Sequence, residues 1–370
     1  MSHSIVAFDA RPGAVGTPPE HYGDPIGEQR RLAAGEAVVD LSDRDVLSVT
    51  GPDRLSWIDS LTSQSIASLA PGESAETLLL DPTGRIESAV RLLDDGETLW
   101  LLLDPGAGSS LLAFLQRMVF MLRVDVADRS AEFATVGVVG TQRVPTELTS
   151  VVAAPHGIPL IWWDRWSSVQ PGGVSYARAE NHPGADWIAA EALVLRSQLG
   201  ALVGSGVAAA GTLALEALRI AAWRPRFVTE VDATTIPHEL DWLRSAVHLS
   251  KGCYRGQETV AKVHNLGHPP RRLVFLHLDG SDSVLPHAGD EIQIGDAVVG
   301  RVTASARHHE WGPIALGVVK RSTDPAAELV VVSDEGARVS ATQEIVVPPQ
   351  AGAAVDRARL PRIAASRPVL

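Results

Sequence analysis

The sequence predicts an α+β fold in which strands and helices interleave over the first 268 residues and a small all-β unit follows. Three observations carry this. Short apolar runs joined by Asp, Pro and Gly turns lie between Thr77 and Leu103. Stretches with helical spacing of apolar residues flank them. After His268-Pro269-Pro270 the chain shifts to five short alternating runs.

Residues 1–27 read as an irregular leader, because Arg11 to Gly27 is rich in Gly and Pro. A helix-like stretch near Glu28 to Ala34 comes next. Val46 to Thr50 is strand-like, Gly51-Pro52-Asp53 is a turn, and Leu55, Ile58 and Leu61 give Arg54 to Leu61 a helical stripe. Thr77 to Leu80 and Ile86 to Leu93 flank Asp81-Pro82-Thr83-Gly84, and Asp94 to Glu97 separates the second run from Thr98 to Leu103. These are antiparallel strands, since Asp, Pro and Gly supply the dihedrals that tight turns need. Leu111, Leu112, Leu115, Met118, Val119 and Leu122 recur at helical intervals and predict one apolar face against the sheet.

Ala134 to Gly140 and Leu160 to Trp163 read as further strands, with Pro171-Gly172-Gly173 a turn after them. Glu191 to Leu202 and Leu213 to Trp223 read as helices, the second ended by Pro225. The late runs are Leu273 to Leu278, Glu291 to Ile294, Ala297 to Val302, Ala315 to Val319 and Leu329 to Val332; they predict a small β-barrel or sandwich over residues 269–347. Residues 348–370, rich in Ala, Pro and Arg, read as a loose tail.

With 370 residues, 45% hydrophobic and 21% charged, the chain can bury a large interior in more than one unit. A net charge of −12 argues against a surface built to grip nucleic acid. No apolar run reaches the roughly 18 residues of a membrane span, and Met1 to Asp24 lacks a signal-peptide pattern, so a cytoplasmic protein with no membrane association is expected. One cysteine, Cys253, excludes an internal disulfide framework, a zinc ribbon and a private four-cysteine cluster.

Between Arg219 and Arg272 stand nine basic and five acidic residues, a net +4 in an otherwise acidic chain. Such an island focuses a small polyanion, a nucleotide or a glutamylated folate alike, although a solvated basic face would have the same composition. Within it runs Lys251-Gly252-Cys253-Tyr254-Arg255-Gly256-Gln257-Glu258, and Gln257 to His264 has helix-forming composition that Gly267 can cap. Cys253 then lies just ahead of a helix start, where the dipole together with Lys251 and Arg255 favours the thiolate, the form that attacks electrophiles and ligates metal. A lone cysteine is most often a small buried hydrophobe, but burial would strand those two cations. A cysteine–histidine pair with His238, His248 or His264 has no diagnostic spacing here.

The run Lys251 to Glu258 closely resembles the signature of the YgfZ-type folate-binding proteins, relatives of the glycine cleavage T protein, an aminomethyltransferase. Asp40-Leu41-Ser42, Gly51-Pro52-Asp53-Arg54, Asp81 to Ile86, Leu218 to Pro225 and Thr235 to Glu239 agree with it. The resemblance implies a three-subdomain body around a central cavity, a closing β-barrel, tetrahydrofolate as ligand, and a part in assembling or repairing iron-sulfur proteins. It implies that Cys253 is the functional residue, in transient contact with an iron-sulfur cluster, and that Lys251, Gly252, Tyr254, Arg255, Gly256, Gln257 and Glu258 are its signature neighbours. Arg219, Trp223, Lys251 and Tyr254 are the expected folate contacts, with Trp57 a further aromatic able to stack on a pterin, and the sulfur is expected to open onto the folate cavity. Two departures stand out: Ala221, and Ser88 or Ala89, occupy positions where aminomethyltransferases carry carboxylates. Without those acids one-carbon transfer, the alternative enzymatic activity, lacks its proton carriers.

Overall fold

The computed structural model describes residues 8–178, 181–281, 284–333 and 336–354. The tight turns read from the sequence build the first sheet. Ser74–Leu80, Ile86–Asp94, Thr98–Leu102, Val46–Thr50 and Asp125–Asp128 pair antiparallel in that spatial order. Helices Arg54–Leu61 and Gly108–Met118 cover one face, burying Trp57, Ile58, Leu111 and Leu115 with the strand residues Leu79, Leu92 and Leu101. The second helix stops earlier than its apolar spacing predicts. Phe120 takes a left-handed φ of 47°, the chain turns away, and Met118, Phe120, Met121 and Leu122 lie exposed instead of facing the sheet.

A second sheet of five strands has the order Ala209–Ala210, Val38–Leu41, Phe133–Val139, Ala189–Leu195, Ile161–Trp163. Its fourth strand is a correction. The expected helix from Glu191 to Leu202 is a strand to Leu195, followed by a short helix at Leu199–Gly204. Ala-Ala-Glu-Ala-Leu-Val-Leu has helical composition, but a place between two partner strands satisfies its backbone on both sides and buries it on both faces, which outweighs a weak local preference.

The last 80 or so described residues form a closed six-stranded barrel, Arg271–Leu278, Gly312–Lys320, Ala297–His308, Glu291–Ile294, Leu329–Val332 and Arg338–Ile345, the last pairing back to the first. The sixth strand escaped the sequence reading. Of its inward positions only Val339 is β-branched; Ala341 and Gln343 are small or polar, and the charged Arg338 and Glu344 among the outward ones dilute the strand signal further. Closure removes the sheet's edges.

Helix Thr212–Ala221 is the wedge between these parts. Its small Ala214, Ala217 and Ala221 let it approach the second sheet on one side and the barrel on the other. From Phe8 on the leader packs against the body: Phe8 is fully buried and the Arg11 guanidinium donates to the carbonyls of Val203 and Val207. Of the expected tail only residues up to 354 lie within the description, with Ala351 buried. Among the described residues no helix is long and apolar enough to cross a membrane.

One guanidinium ties the parts together. Arg224, buried at 5% side-chain exposure, donates to Glu76 of the first sheet at 2.6 Å and to Asp164, just beyond the last strand of the second, at 3.0 Å. It lies over the rings of Trp166 and Trp242, and Glu76 also accepts from Ser245 at 2.7 Å. Replacing Arg224 by Met would leave two buried carboxylates uncompensated, so the Arg224→Met variant should lose about 3–5 kcal/mol of stability in urea titration.

Candidate functional site

Three neighbouring cavities share lining residues. The inner one, only about 50 Å³, is lined by Arg44, Arg91, Glu191, Arg219, Arg224 and Arg226 among others. Val139 and Trp187 separate it from an outer chamber of about 480 Å³ that reaches the barrel. Leu41, Arg44, Leu215 and Arg226 separate it from a third chamber of about 350 Å³ on the other side. Together the three cavities are the candidate channel for the central opening that the resemblance implies.

Its charged lining comes from elements far apart in sequence. Arg91 and Glu191 sit mid-strand in the first and second sheets, flanked by apolar residues. Arg91 donates to Asp104 at 2.6 Å and lies 3.3 Å from Glu191, which Arg44 also contacts. Burial alone would favour a neutral Arg91, but Glu191 and Asp104 outweigh it and raise its pKa further; burial likewise opposes the Asp104 carboxylate, which Arg91, Arg44 and Arg226 hold well below its ordinary value. Arg219 is bonded to Glu216 at 2.6 Å, to Glu230 at 3.0 Å and to the Arg224 carbonyl. Trp223 adopts a left-handed φ of 56°, a costly conformation for an aromatic residue, and so turns the chain at the helix end where Arg224 enters the core.

These pairings leave specific groups over. Among the described residues, Arg91 Nη1, Glu191 Oε2 and Arg226 Nε are buried without a hydrogen-bond partner, and all three residues line the inner chamber. Stranding such groups costs free energy, and a ligand offering both donors and acceptors recovers it.

The signature segment stands elsewhere. Gln257–Leu266 is a helix ending at Gly267, as the composition predicts, and Cys253 lies exposed four residues before it. Gly256 at φ +83° packs against the Asp81–Gly84 turn so closely that a Cβ there would lie 2.6 Å from the Asp81 carbonyl oxygen. Gln257 Nε2 donates to the carbonyls of Lys251 and Gly252. The Lys251 ammonium donates to the carbonyls of Asp59, Thr62 and Gln64 at 2.6–2.9 Å and lies 3.3 Å from the Asp59 carboxylate, while Arg255 pairs with Glu87. Both cations expected beside the sulfur are thus engaged with other partners. Tyr254 is buried under the Lys251 ammonium, and Glu258 is exposed in the first helical turn.

Of the expected folate contacts, Arg219 lines the channel, Trp223 packs in the core beside Phe275, and Lys251 and Tyr254 stand with Cys253. Neither Cys253 nor any other residue from Lys251 to Glu258 lines the three chambers, so the sulfur does not open onto this cavity. Trp57 lies in the first sheet's core. The sequence reading missed Arg44, Arg91 and Glu191, and had Arg226 only as one member of the basic island. One signal was available: a charged residue inside an otherwise apolar strand, as in Ala190-Glu191-Ala192. Ala221 lines the outer chamber, and Ser88 is buried with its hydroxyl unpartnered among the described residues.

Residues 271–349 match the family of the glycine cleavage T-protein C-terminal barrel domain. A putative chloroplastic transferase of Arabidopsis thaliana is 25% identical over 313 residues, spanning 81% of this chain and 69% of that protein. An aminomethyltransferase of Symbiobacterium thermophilum is 26% identical over 310 residues, 78% of this chain and 79% of the other. The tRNA-modifying protein YgfZ of Pectobacterium carotovorum is 22% identical over 280 residues, 74% and 80% of the two chains. The crystal structure of the glycine cleavage system aminomethyltransferase T from Bartonella henselae superposes with a TM-score of 0.69 at 18% identity, covering 92% of this chain and 96% of that one, and so shares its fold.

The channel charges make stability depend on acid. Burial would raise the Glu216 carboxyl, but Arg219 and Arg226 overcome this and lower it from 4.5 to about 2. A carboxyl held low in the folded state stabilises the fold at pH above its unfolded value, and that contribution drains away as pH falls from about 4.5 to about 2. The urea midpoint should fall across this window, and Glu216→Gln, less stable at neutral pH, should show a shallower decline.

Proposed function

Because the chain is a relative of the aminomethyltransferases and of YgfZ and has the aminomethyltransferase fold, we propose that it binds tetrahydrofolate in the central channel. We further propose that it serves iron-sulfur proteins of the cytoplasm through the exposed thiol of Cys253. The observation that carries the folate reading is the set of unpartnered polar atoms in the inner chamber. The amino-pyrimidinone edge of a pterin offers two N–H donors side by side, which suit the open oxygen of Glu191, and a ring carbonyl, which suits the open Nη1 of Arg91. The aminobenzoyl portion then occupies the outer chamber past Trp187.

The thiol role rests on different ground. Cys253 is exposed on a loop held at one end by Lys251 and at the other by the glycine-packed helix start. Among the described residues no three metal-ligating side chains converge, so a cluster touching Cys253 takes its other ligands from the client protein. Neither role calls on nucleic acid or a membrane.

A second reading, a folate-dependent one-carbon transferase, is favoured by the names of several relatives. Against it stand Ala221, and Ser88 or Ala89, which bring no carboxylate to the two positions where the resemblance expects one.

Titration calorimetry should show the wild-type chain binding tetrahydrofolate in the micromolar range or tighter and Glu191→Gln weakened at least tenfold, about 1.4 kcal/mol. Cys253→Ala should bind folate like the wild type yet fail to restore iron-sulfur enzyme activity in cells lacking the protein; full restoration would sink the thiol role. Turnover of a methylamine donor with tetrahydrofolate, above background, would favour the transferase instead.

A further inference from the structure

The outer chamber has a wall that the folate reading leaves without a task. It is the turn His308-His309-Glu310-Trp311 between barrel strands Ala297–His308 and Gly312–Lys320, and all four residues line the chamber. Trp311 leaves 46% of its surface exposed, yet the turn that carries it is firmly held. His308 Nδ1 accepts from the backbone N–H of Glu310 and of Trp311, both at 3.3 Å. The buried Gln29 of helix Pro25–Ala33 grips the turn from the other side: its Oε1 accepts from the His309 N–H at 3.0 Å and its Nε2 donates to the Arg307 carbonyl at 2.8 Å.

The indole itself is propped. It packs edge-on to Phe275 at 5.9 Å and closer to parallel with His308 at 4.9 Å. An indole fixed at a cavity wall and nearly half exposed can serve as a stacking platform, since aromatic rings gain from offset contact beyond the area they bury. Beside it, His309 Nδ1 is buried without a partner among the described residues. The methyl of Ala221 lines the same chamber where a longer acidic side chain would take up space that a ring can use.

We infer that this turn is a ligand clamp, in which Trp311 stacks on the aminobenzoyl ring of bound folate and His309 Nδ1 bonds the amide that joins the ring to its glutamate. The inference rests on the folate reading and assigns the half of the ligand that the inner chamber does not hold. It makes the barrel a contributor to recognition and not only a closing domain.

Calorimetry on the full chain tests it with two ligands, tetrahydrofolate and methyltetrahydropterin, which lacks the aminobenzoylglutamate. The wild type should prefer the complete folate. In Trp311→Ala, and separately in His309→Ala, that preference should shrink about tenfold while methyltetrahydropterin binds unchanged; Trp311→Phe, which keeps a ring, should recover most of it. Unchanged preference in all variants would overturn the clamp and leave the folate reading standing. Equal weakening of both ligands would also overturn it, because a turn needed only for structure acts on both alike. No binding of either ligand to the wild type would overturn the folate reading and the clamp together.

Discussion

The molecule is organised around buried arginines that have no water to turn to. Arg224 stands where the first sheet, the second sheet and the irregular segment after helix Thr212–Ala221 meet, and its partners Glu76, Asp164 and Ser245 belong to each in turn, Ser245 through Glu76. Arg219, one helical turn earlier, is held by Glu216 and Glu230, and Glu230 also accepts from Thr303 of the barrel at 2.9 Å. Buried ion pairs of this kind add little net stability over a well-packed apolar core, but losing one partner is expensive. They therefore fix how the three parts sit, and the channel is the space left where those parts meet.

That origin explains why the channel is polar at its centre and aromatic at its rim. Arginines and carboxylates needed to join the subdomains converge there, and geometry cannot satisfy every atom of so many forked groups at once. The remainder, on Arg91, Glu191 and Arg226, stays unpartnered among the described residues, and it is this remainder on which the proposed folate reading draws. The barrel then supplies the flat walls. The proposed folate channel and the thiol of Cys253 occupy different places on this scaffold, and the Asp81–Gly84 turn and the strand Ile86–Asp94 connect the helix start at Gly256 to Arg91.

Legibility from sequence followed locality. The turn Asp81-Pro82-Thr83-Gly84 and the helix from Gln257 to its Gly267 cap were readable because their determinants sit within a few residues. Strand Ala189–Leu195 was misread because its composition favours a helix and only its two neighbours overrule that. Strand Arg338–Ile345 was missed because barrel closure, not propensity, demands it. The early stop of helix Gly108–Met118 had no signal in the spacing of its leucines.

The sequence by itself determined the class of fold, a small all-β unit at the end, the position of the basic island and the helix-preceding setting of Cys253, because each depends on residue type and short-range order. Only the tertiary structure decided which charges meet. It drew Lys251 to the carbonyls of Asp59, Thr62 and Gln64 and away from any partnership with the sulfur, brought Arg44, Arg91, Glu191 and Arg226 from distant segments to one chamber, and set Cys253 apart from it. The physical reason is that a charge's partner is chosen by burial and proximity in the folded state, and neither quantity is written in the order of the residues.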